Sequence, residues 1–507
     1  MSGADLPSSL GKSGGQASSS GGESSAPRPD LPPPEGLLAR GAARFTSWAE
    51  RWIPDAFVFA LVATFLVFVA AVLMLRPTAG VRGATLAAAE IWGTGFWELI
   101  PFTLQMALVI ITGYVVATTR PVYRLIAALA SFPRAPKVAI AWVAMFAMLS
   151  SWLNWGFSLI FSAMLAKETA RRVQGVDYRA VAASAFLGLG SIWAQGLSGS
   201  AALQMATPSA LQPAIRQIVD GGGKIPGGVI PLSNTIFLWQ SLVSVAVEIV
   251  IVTALVYLYA PDAARARTAA SMGIELGESP LDRDDPPVKG TPGEWLEHSS
   301  ILNALFVLLA STYLVRYFAK SGQGLNALNL NTINLLFLTC GVALHGTPAR
   351  LMRSVREATP GVWGVILQFP FYAGIAALIV KTHLNEKLAG WFVSVSTPKT
   401  FPAVIAVYSA VLGVFVPSGG SKWVIEAPYV MQAAHDLKVH LGWMVAVYDL
   451  GEALANLVQP FWMLPILGLF GLRAKDVMGY TFLVFLVLAP VVLILVTLLG
   501  ATLGYPL

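Results

Sequence analysis

The sequence predicts an all-α polytopic membrane protein made of two similar halves. Three observations lead there. Of 507 residues, 56% are hydrophobic and only 12% charged. Apolar runs long enough to cross a hydrocarbon core of about 30 Å recur from about residue 53 to the end. Short, glycine-interrupted hydrophobic segments stand at corresponding places in the two halves. The charged share is about half that of an ordinary soluble chain, which excludes a soluble enzyme. The apolar runs are continuous rather than alternating, which excludes a β-barrel. The excess of 33 basic over 27 acidic residues, net +6, is the size expected from Lys and Arg at cytoplasmic helix ends and is no argument for nucleic acid.

The elements follow in order. Residues 1–25 contain nine Ser and six Gly, and Pro27 to Pro34 adds a proline cluster. Residues 1–40 therefore read as a disordered cytoplasmic tail without a signal-peptide core. Arg40, Arg44 and Arg51, flanked by Phe45, Trp48 and Trp52, predict an interfacial stretch entering a first span from about Ile53 to Leu75, with the N-terminus inside. Further spans are expected near 100–119, 180–197, 232–260, 299–318, 330–345, 361–380, 441–458 and 479–500. Residues 41–260 form a first membrane repeat, 261–298 an acidic, Pro-containing linker with eight acidic against four basic residues, and 299–507 a second repeat.

The halves share a layout. Gly95, Trp97 and Ile100 stand 266 positions before Gly361, Trp363 and Ile366, at the start of a span in each half. The stretch Ser150-Ser151-Trp152-Leu153-Asn154-Trp155-Gly156 interrupts the first half, and Pro417-Ser418-Gly419-Gly420-Ser421 the second. After each comes an apolar half-segment, a polar connection (Lys167 to Arg179; Gln432 to His440) and a broken span, at Gly196-Leu197-Ser198-Gly199-Ser200 and at Glu452-Ala453-Leu454-Ala455-Asn456. Such paired breaks point to a secondary transporter built on repeats. The repeats are expected to be inverted, which requires an odd number of crossings between them.

Phe401 to Val416 is too short to cross a bilayer at 1.5 Å per residue and runs into Pro417 and two glycines. Two half-helices joined by an unwound tip fit better than one kinked span, and irregular backbone at membrane depth lines a wet cavity or is buried in protein. The free N–H groups of Ser418 to Lys422 and the positive end of the second half-helix would favour a carboxylate. Lys422, a cation in a first helical turn at membrane depth, calls for an anionic partner: Glu426, four residues on, or the substrate. Glu452 and Asn456 share a helical face, with Gln459-Pro460 beyond, and offer oxygens for a proton or small cation; Asp449 lies one turn earlier. Glu248, alone in an apolar run, ranks lower. Trp155 is kept as a candidate ligand contact, whereas Trp152 and Trp193 read as interface or core residues. The single cysteine, Cys340, and five histidines without ligand spacing predict no structural metal and no cofactor.

At these residues the chain resembles the bacterial short-chain fatty acid transporter family, the acetoacetate and butyrate carriers of the ion-transporter superfamily. The resemblance covers most of residues 45–500. It is carried by Asn154-Trp155-Gly156, Gly196 to Ser200, Leu330 to Asn334, Leu344 to Pro348, Ile366 to Gly374, Phe415 to Gly420 and Asn456 to Trp462. It implies a carrier of short monocarboxylates in a bacterial inner membrane, with a scaffold domain and a transport domain holding two re-entrant hairpins, often as a homodimer. The chain departs from the family pattern in having Ser421-Lys422 where Gly-Gln is associated with it, Glu426-Ala427 where Gln-Gly is, and Glu452 where Asp is.

The expected function is symport of a small carboxylate with H⁺ or Na⁺. The substrate would lie between the tips, held by Asn154, Trp155, Gly156, Ser198, Gly199, Ser200, Gln368, Pro417, Ser418, Gly419, Gly420, Ser421 and Lys422, with Glu452, Asn456 and Gln459 coupling the ion. Gln368 is a candidate lining residue whose ordinary role would be helix packing. Rival readings are a carrier of another small anion or zwitterion, a membrane-embedded acyl or lipid transferase, and a channel. The sequence lacks HExxH and a complete P-loop, which argues against catalysis. Lipids are the other expected partners.

Overall fold

The computed structural model describes residues 56–276, 290–322, 324–416, 418–459 and 461–507. The N-terminal tail, its basic and aromatic exit, residues 277–289 of the acidic linker, Gln323, Pro417 and Pro460 lie outside the described residues.

In chain order the helices of the first half are α1 (Ala56–Gly95), α2 (Ile100–Ala117), α3 (Arg120–Leu129), α4 (Pro136–Leu153), α5 (Trp155–Arg172), α6 (Tyr178–Leu187), α7 (Ser200–Ala206), α8 (Pro213–Asp220) and α9 (Trp239–Tyr259). A short α10 (Pro292–His298) precedes the second half. There follow α11 (Ser300–Ser321), α12 (Leu330–His345), α13 (Pro348–Ala358), α14 (Trp363–Lys381), α15 (Leu384–Val395), α16 (Phe401–Phe415), α17 (Gly419–Leu437), α18 (Leu441–Asn456), α19 (Leu464–Phe470) and α20 (Ala474–Gly500). Among the described residues, eight helical segments are long and apolar enough to cross a membrane. The protein is a multi-pass, all-helical membrane protein.

Short helices lie between the longer ones, and two helix pairs, α4 with α5 and α16 with α17, meet at a break. The short helices bury one side only, Tyr123 and Ile126 on α3, and Asn385, Ala389 and Phe392 on α15, as expected of amphipathic helices lying along an interface. The spans differ by depth. Only 17% of the most apolar window of α1 and of α11 is buried in protein, against 94% for the broken segment Tyr178–Ala206. The outer helices therefore present Phe65, Leu66, Leu308 and Leu309 to lipid, while the interrupted helices form the core.

Several boundaries differ from the sequence-based expectation, each for a local reason. The first span extends through a 40-residue element kinked where Pro77 lacks an N–H and Gly80 takes a left-handed φ of 67°. Pro136–Leu153, expected only as the apolar lead into a break, is a full 18-residue helix. The polar connection after α5 is shorter than expected, because the helix continues past Lys167 to Arg172 and Asp177 then caps α6 through the amides of Arg179 and Ala180.

The two half-helix pairs also differ. Helices α4 and α5 pack along each other, whereas α16 packs chiefly along α18 and barely touches α17. That close crossing relies on glycine: a Cβ on Gly451 would lie 2.4 Å from the Ala406 carbonyl oxygen, and one on Gly413 would lie 2.7 Å from Ala455 Cβ. Gly451→Ala is accordingly expected to lower thermal stability in detergent by about 1–3 kcal/mol through overpacking. Gly93→Ala, at a helical site with nothing within 4 Å of the added methyl, should not.

Candidate substrate and ion site

The first break is held together by its own polar side chains. Asn154 is extended (φ −161°, ψ 123°) and caps α5, its Oδ1 accepting from the Phe157 amide at 2.8 Å. Ser198 Oγ accepts from the Trp155 amide at 2.9 Å, and the Leu197 amide donates to the Trp152 carbonyl at 2.7 Å. Asn154 and Ser198 thus satisfy N–H groups that every helix start leaves open. Beyond α6 the chain passes through a π-helical turn (Gly188–Ile192) and a 3-10 turn (Trp193–Gln195) to extended Gly196, and re-forms a helix at Ser200.

The second tip rests on this break. Ser418 is extended (φ −153°), and Gly419 starts α17. A Cβ on Gly419 would stand 2.3 Å from the Trp193 ring, and one on Gly420 would stand 3.1 Å from Ser200 Cβ. Gln204 on α7 donates from Nε2 to the Gly420 carbonyl at 2.8 Å, Tyr448 donates its hydroxyl to the Gly419 carbonyl, and Ser418 Oγ donates to Ser421 Oγ at 3.0 Å. Trp155 meets Trp193 edge to face, with ring centroids 6.4 Å apart. The indole N–H groups of Trp155 and Trp193 are both buried without a hydrogen-bond partner among the described residues. Two orphan donors beside a helix N-terminus form a site with unmet demand for an acceptor.

Behind the tip lies a charge cluster. Lys422 is fully buried where α16, α17 and α18 meet, and its Nζ donates to the Ser409 carbonyl at 2.7 Å and to Ser409 Oγ at 2.6 Å. The same ammonium stands 2.6 Å from Glu452 Oε2, 3.2 Å from Glu426 Oε1 and 4.6 Å from the centre of the Tyr448 ring. The hydrogen bonds run to Ser409, and the carboxylates meet the ammonium as charges in contact without well-aligned hydrogen bonds. Asp449 is buried one turn from Glu452, with no hydrogen-bond partner for Oδ2 among the described residues. Asn456 Nδ2 donates to the Leu189 carbonyl in the π turn at 3.0 Å, and Gln459 Nε2 donates to Asn456 Oδ1 at 2.8 Å. The second broken helix is thereby tied to the first.

The structure brings Trp155, Ser198, Gly199, Ser200 and Ser418 to Ser421 to one junction, and sets Glu452, Asn456 and Gln459 beside it, whereas Gly156 packs on α2 at Val109 and Ile110. Lys422, expected among the substrate ligands, stands with Ser409, Glu452 and Glu426, which meet its hydrogen bonds and charge. Asn154 and Ser198 likewise act on helix α5. Gln368 is buried on α14 with Nε2 unpartnered; its link to the tip is indirect, through Phe369 stacked on Phe102, which lies against Gly420. Pro417 lies outside the described residues. Trp193, Gln204, Ser409 and Tyr448 enter the site without having been expected, because their partners are distant in sequence. Glu248, which looked isolated in its own run, accepts from Gln195 Nε2 at 3.0 and 3.1 Å. A separate cavity of about 260 Å³ lies away from the junction, among Arg120, Lys167, Arg171, His345, Arg350 and Arg353.

The family described as short chain fatty acid transporter matches residues 37–499. A protein of Escherichia coli (strain K12) named for short-chain fatty acid transport is 35% identical over 446 residues, covering 88% of this chain and 95% of that protein. One from Haemophilus influenzae (strain ATCC 51907 / DSM 11121 / KW20 / Rd), named in the same way, is 32% identical over 461 residues, covering 90% and 99%. Two solved structures share the fold. The Alcanivorax borkumensis YdaH transporter, noted for an unusual topology, has a TM-score of 0.54 at 16% identity over 88% of this chain and 98% of its own. Neisseria gonorrhoeae MtrF, from a class of antimetabolite efflux pumps, has 0.56 at 14% over 91% and 97%.

The Gln204 bond is a polar tie between the two breaks. Gln204→Leu should leave the buried Gly420 carbonyl unsatisfied, lower thermal stability by about 1–3 kcal/mol and loosen the junction. Unfolding of the purified variant in detergent checks this.

Proposed function

The chain belongs to the short-chain fatty acid transporter family, and on that premise we propose that it is a secondary active carrier of short monocarboxylates in the bacterial inner membrane, driven by co-transported H⁺ or Na⁺. The observation that carries this reading is the pair of buried indole N–H groups of Trp155 and Trp193, without partners among the described residues, beside the first turn of α17. A carboxylate seated there accepts from the indoles and from the amides of Gly419 to Ser421, with Ser200 and Ser418 within the same junction. The aromatic side chains at the tip, Phe102 and the tryptophans, offer apolar contact to a short hydrocarbon tail.

Coupling follows from what Gly419 touches. A Cβ on Gly419 would meet both the Trp193 ring, at 2.3 Å, and the Glu452 side chain, at 3.4 Å, and its carbonyl takes the Tyr448 hydroxyl. A substrate that reorders the tip therefore changes the surroundings of Glu452, so substrate and cation share one free-energy balance. Movement of the paired and broken helices as a body against the lipid-facing spans would expose the site alternately to the two sides. A homodimer joined through the outer spans is compatible with this arrangement.

The test is uptake of labelled butyrate and acetoacetate into proteoliposomes under an imposed pH gradient, an imposed Na⁺ gradient, or neither. Concentrative uptake under one gradient is the expected result, and its absence under all of them for both acids would refute the reading. Trp193→Phe keeps a ring but removes the donor. It is expected to raise the apparent KM about tenfold, the effect of one hydrogen bond to a charged group, at unchanged protein abundance.

A further inference from the structure

We infer that the Lys422 ammonium is a tethered stand-in for a metal cation, so that this carrier works without Na⁺ and takes up a proton on the carboxyl cluster Glu426, Asp449 and Glu452. The inference rests on the carrier reading above and names its coupling ion.

The surroundings of Nζ are those of a small hard cation. Four oxygens stand within 3.2 Å: the carbonyl and hydroxyl of Ser409, Glu452 Oε2 and Glu426 Oε1. Carboxylate, carbonyl and hydroxyl oxygens make up the donor sets that bind alkali and alkaline-earth ions, and a gap between half-helices is where transporters hold coupling ions. The ammonium fills this place from a side chain anchored on α17, so a free cation would have to displace a charge that cannot diffuse away. Gly413 makes the fit possible, since a Cβ there would lie 2.7 Å from Glu452 Oε2.

The charge count then leaves room for protons only. Three carboxyls, Glu426, Asp449 and Glu452, are each at most 2% exposed and face a single ammonium. With all three ionised the cluster would carry two uncompensated negative charges, and burying each would cost several kcal/mol. At the opposite end of α17, His435 is bonded to Tyr505 and the Val219 carbonyl, with Asp436 beside it; the titratable groups nearer the cluster are the phenols of Tyr408 on α16, Tyr429 on α17 and Tyr448 on α18. Tyr408 and Tyr429 bond each other at 3.0 Å, and Tyr448 donates to the Gly419 carbonyl. None supplies positive charge. A proton needs no coordination shell and neutralises a carboxyl in place: it leaves water on one side, binds a carboxylate oxygen, and is released to water on the other side as the cluster is re-exposed.

Two readouts on the full-length protein test this. In proteoliposomes, wild-type butyrate accumulation driven by a pH gradient should be unchanged when choline replaces all Na⁺, whereas Lys422→Gln should become Na⁺-dependent, stimulated about tenfold. In detergent at constant ionic strength, NaCl in place of choline chloride should raise the melting temperature of Lys422→Gln and leave that of wild type unmoved. Glu452→Gln should lose accumulation driven by the pH gradient yet retain butyrate exchange. Wild-type accumulation that collapses without Na⁺, or selective stabilisation of wild type by Na⁺, would overturn the inference, and both can be read even if Lys422→Gln does not fold. If no monocarboxylate moves under any gradient, the carrier reading fails, while the melting comparison still decides whether Lys422 fills a cation site.

Discussion

A full positive charge without exposed surface sits where α16, α17 and α18 converge, and the packing of the second half follows from holding it there. Lys422 lies in the first turns of α17, where the helix dipole opposes a cation, and it is kept by Glu452 from a neighbouring helix, Glu426 from the next turn, and both oxygens of Ser409. Removing one member of such a group leaves another charge stranded in the interior. The close crossing of α16 and α18 at Gly413 and Gly451, and the weak contact of α16 with α17, are the geometry that brings those oxygens onto one nitrogen.

The charge cluster and the proposed carboxylate site are two faces of one tip. Gly419 lies against both Trp193 and Glu452, and Gly420 against Phe102 and Ser200, and their carbonyls are held by Tyr448 and Gln204. The first break is stitched by Asn154 and Ser198, and Asn456 reaches across to the π turn at Leu189. The indole N–H groups of Trp155 and Trp193 are among the buried groups without a hydrogen-bond partner in the described residues, and Trp193 lies against Gly419. The buried junction is a closed arrangement, with the lipid-facing spans around it.

Much of this was legible in one chain of letters. The spans and the breaks at 154, 198, 418 and 456 follow from hydropathy and from the placement of Gly, Ser and Asn, which are local properties. Lys422 and Glu452 were each legible as costly buried charges. Their pairing was not, because spacing along a helix reveals Glu426 at four residues but not a partner thirty residues away on another helix. The same limit hid Gln195 from Glu248, Gln204 from the Gly420 carbonyl and Trp193 from Gly419. Asn154 and Ser198 were assigned to the substrate because a polar residue at a break can bind a ligand or cap a helix, and only the positions of the Trp155 and Phe157 amides separate the two roles. The long kinked first helix and the full length of Pro136–Leu153 were missed because Pro77, Gly80 and the residues before Asn154 mark local bends without saying whether the helix resumes.

The central claim is that Lys422 and Glu452 act as one unit inside the membrane. A double-mutant cycle in sodium-free detergent, with Lys422→Met, Glu452→Gln and the double variant compared by unfolding free energy, tests it most directly. The account predicts that Lys422→Met alone loses about 3–5 kcal/mol and that adding Glu452→Gln restores part of the loss, giving an interaction energy of about 1–3 kcal/mol. Losses that simply add, within about 0.5 kcal/mol, would contradict it.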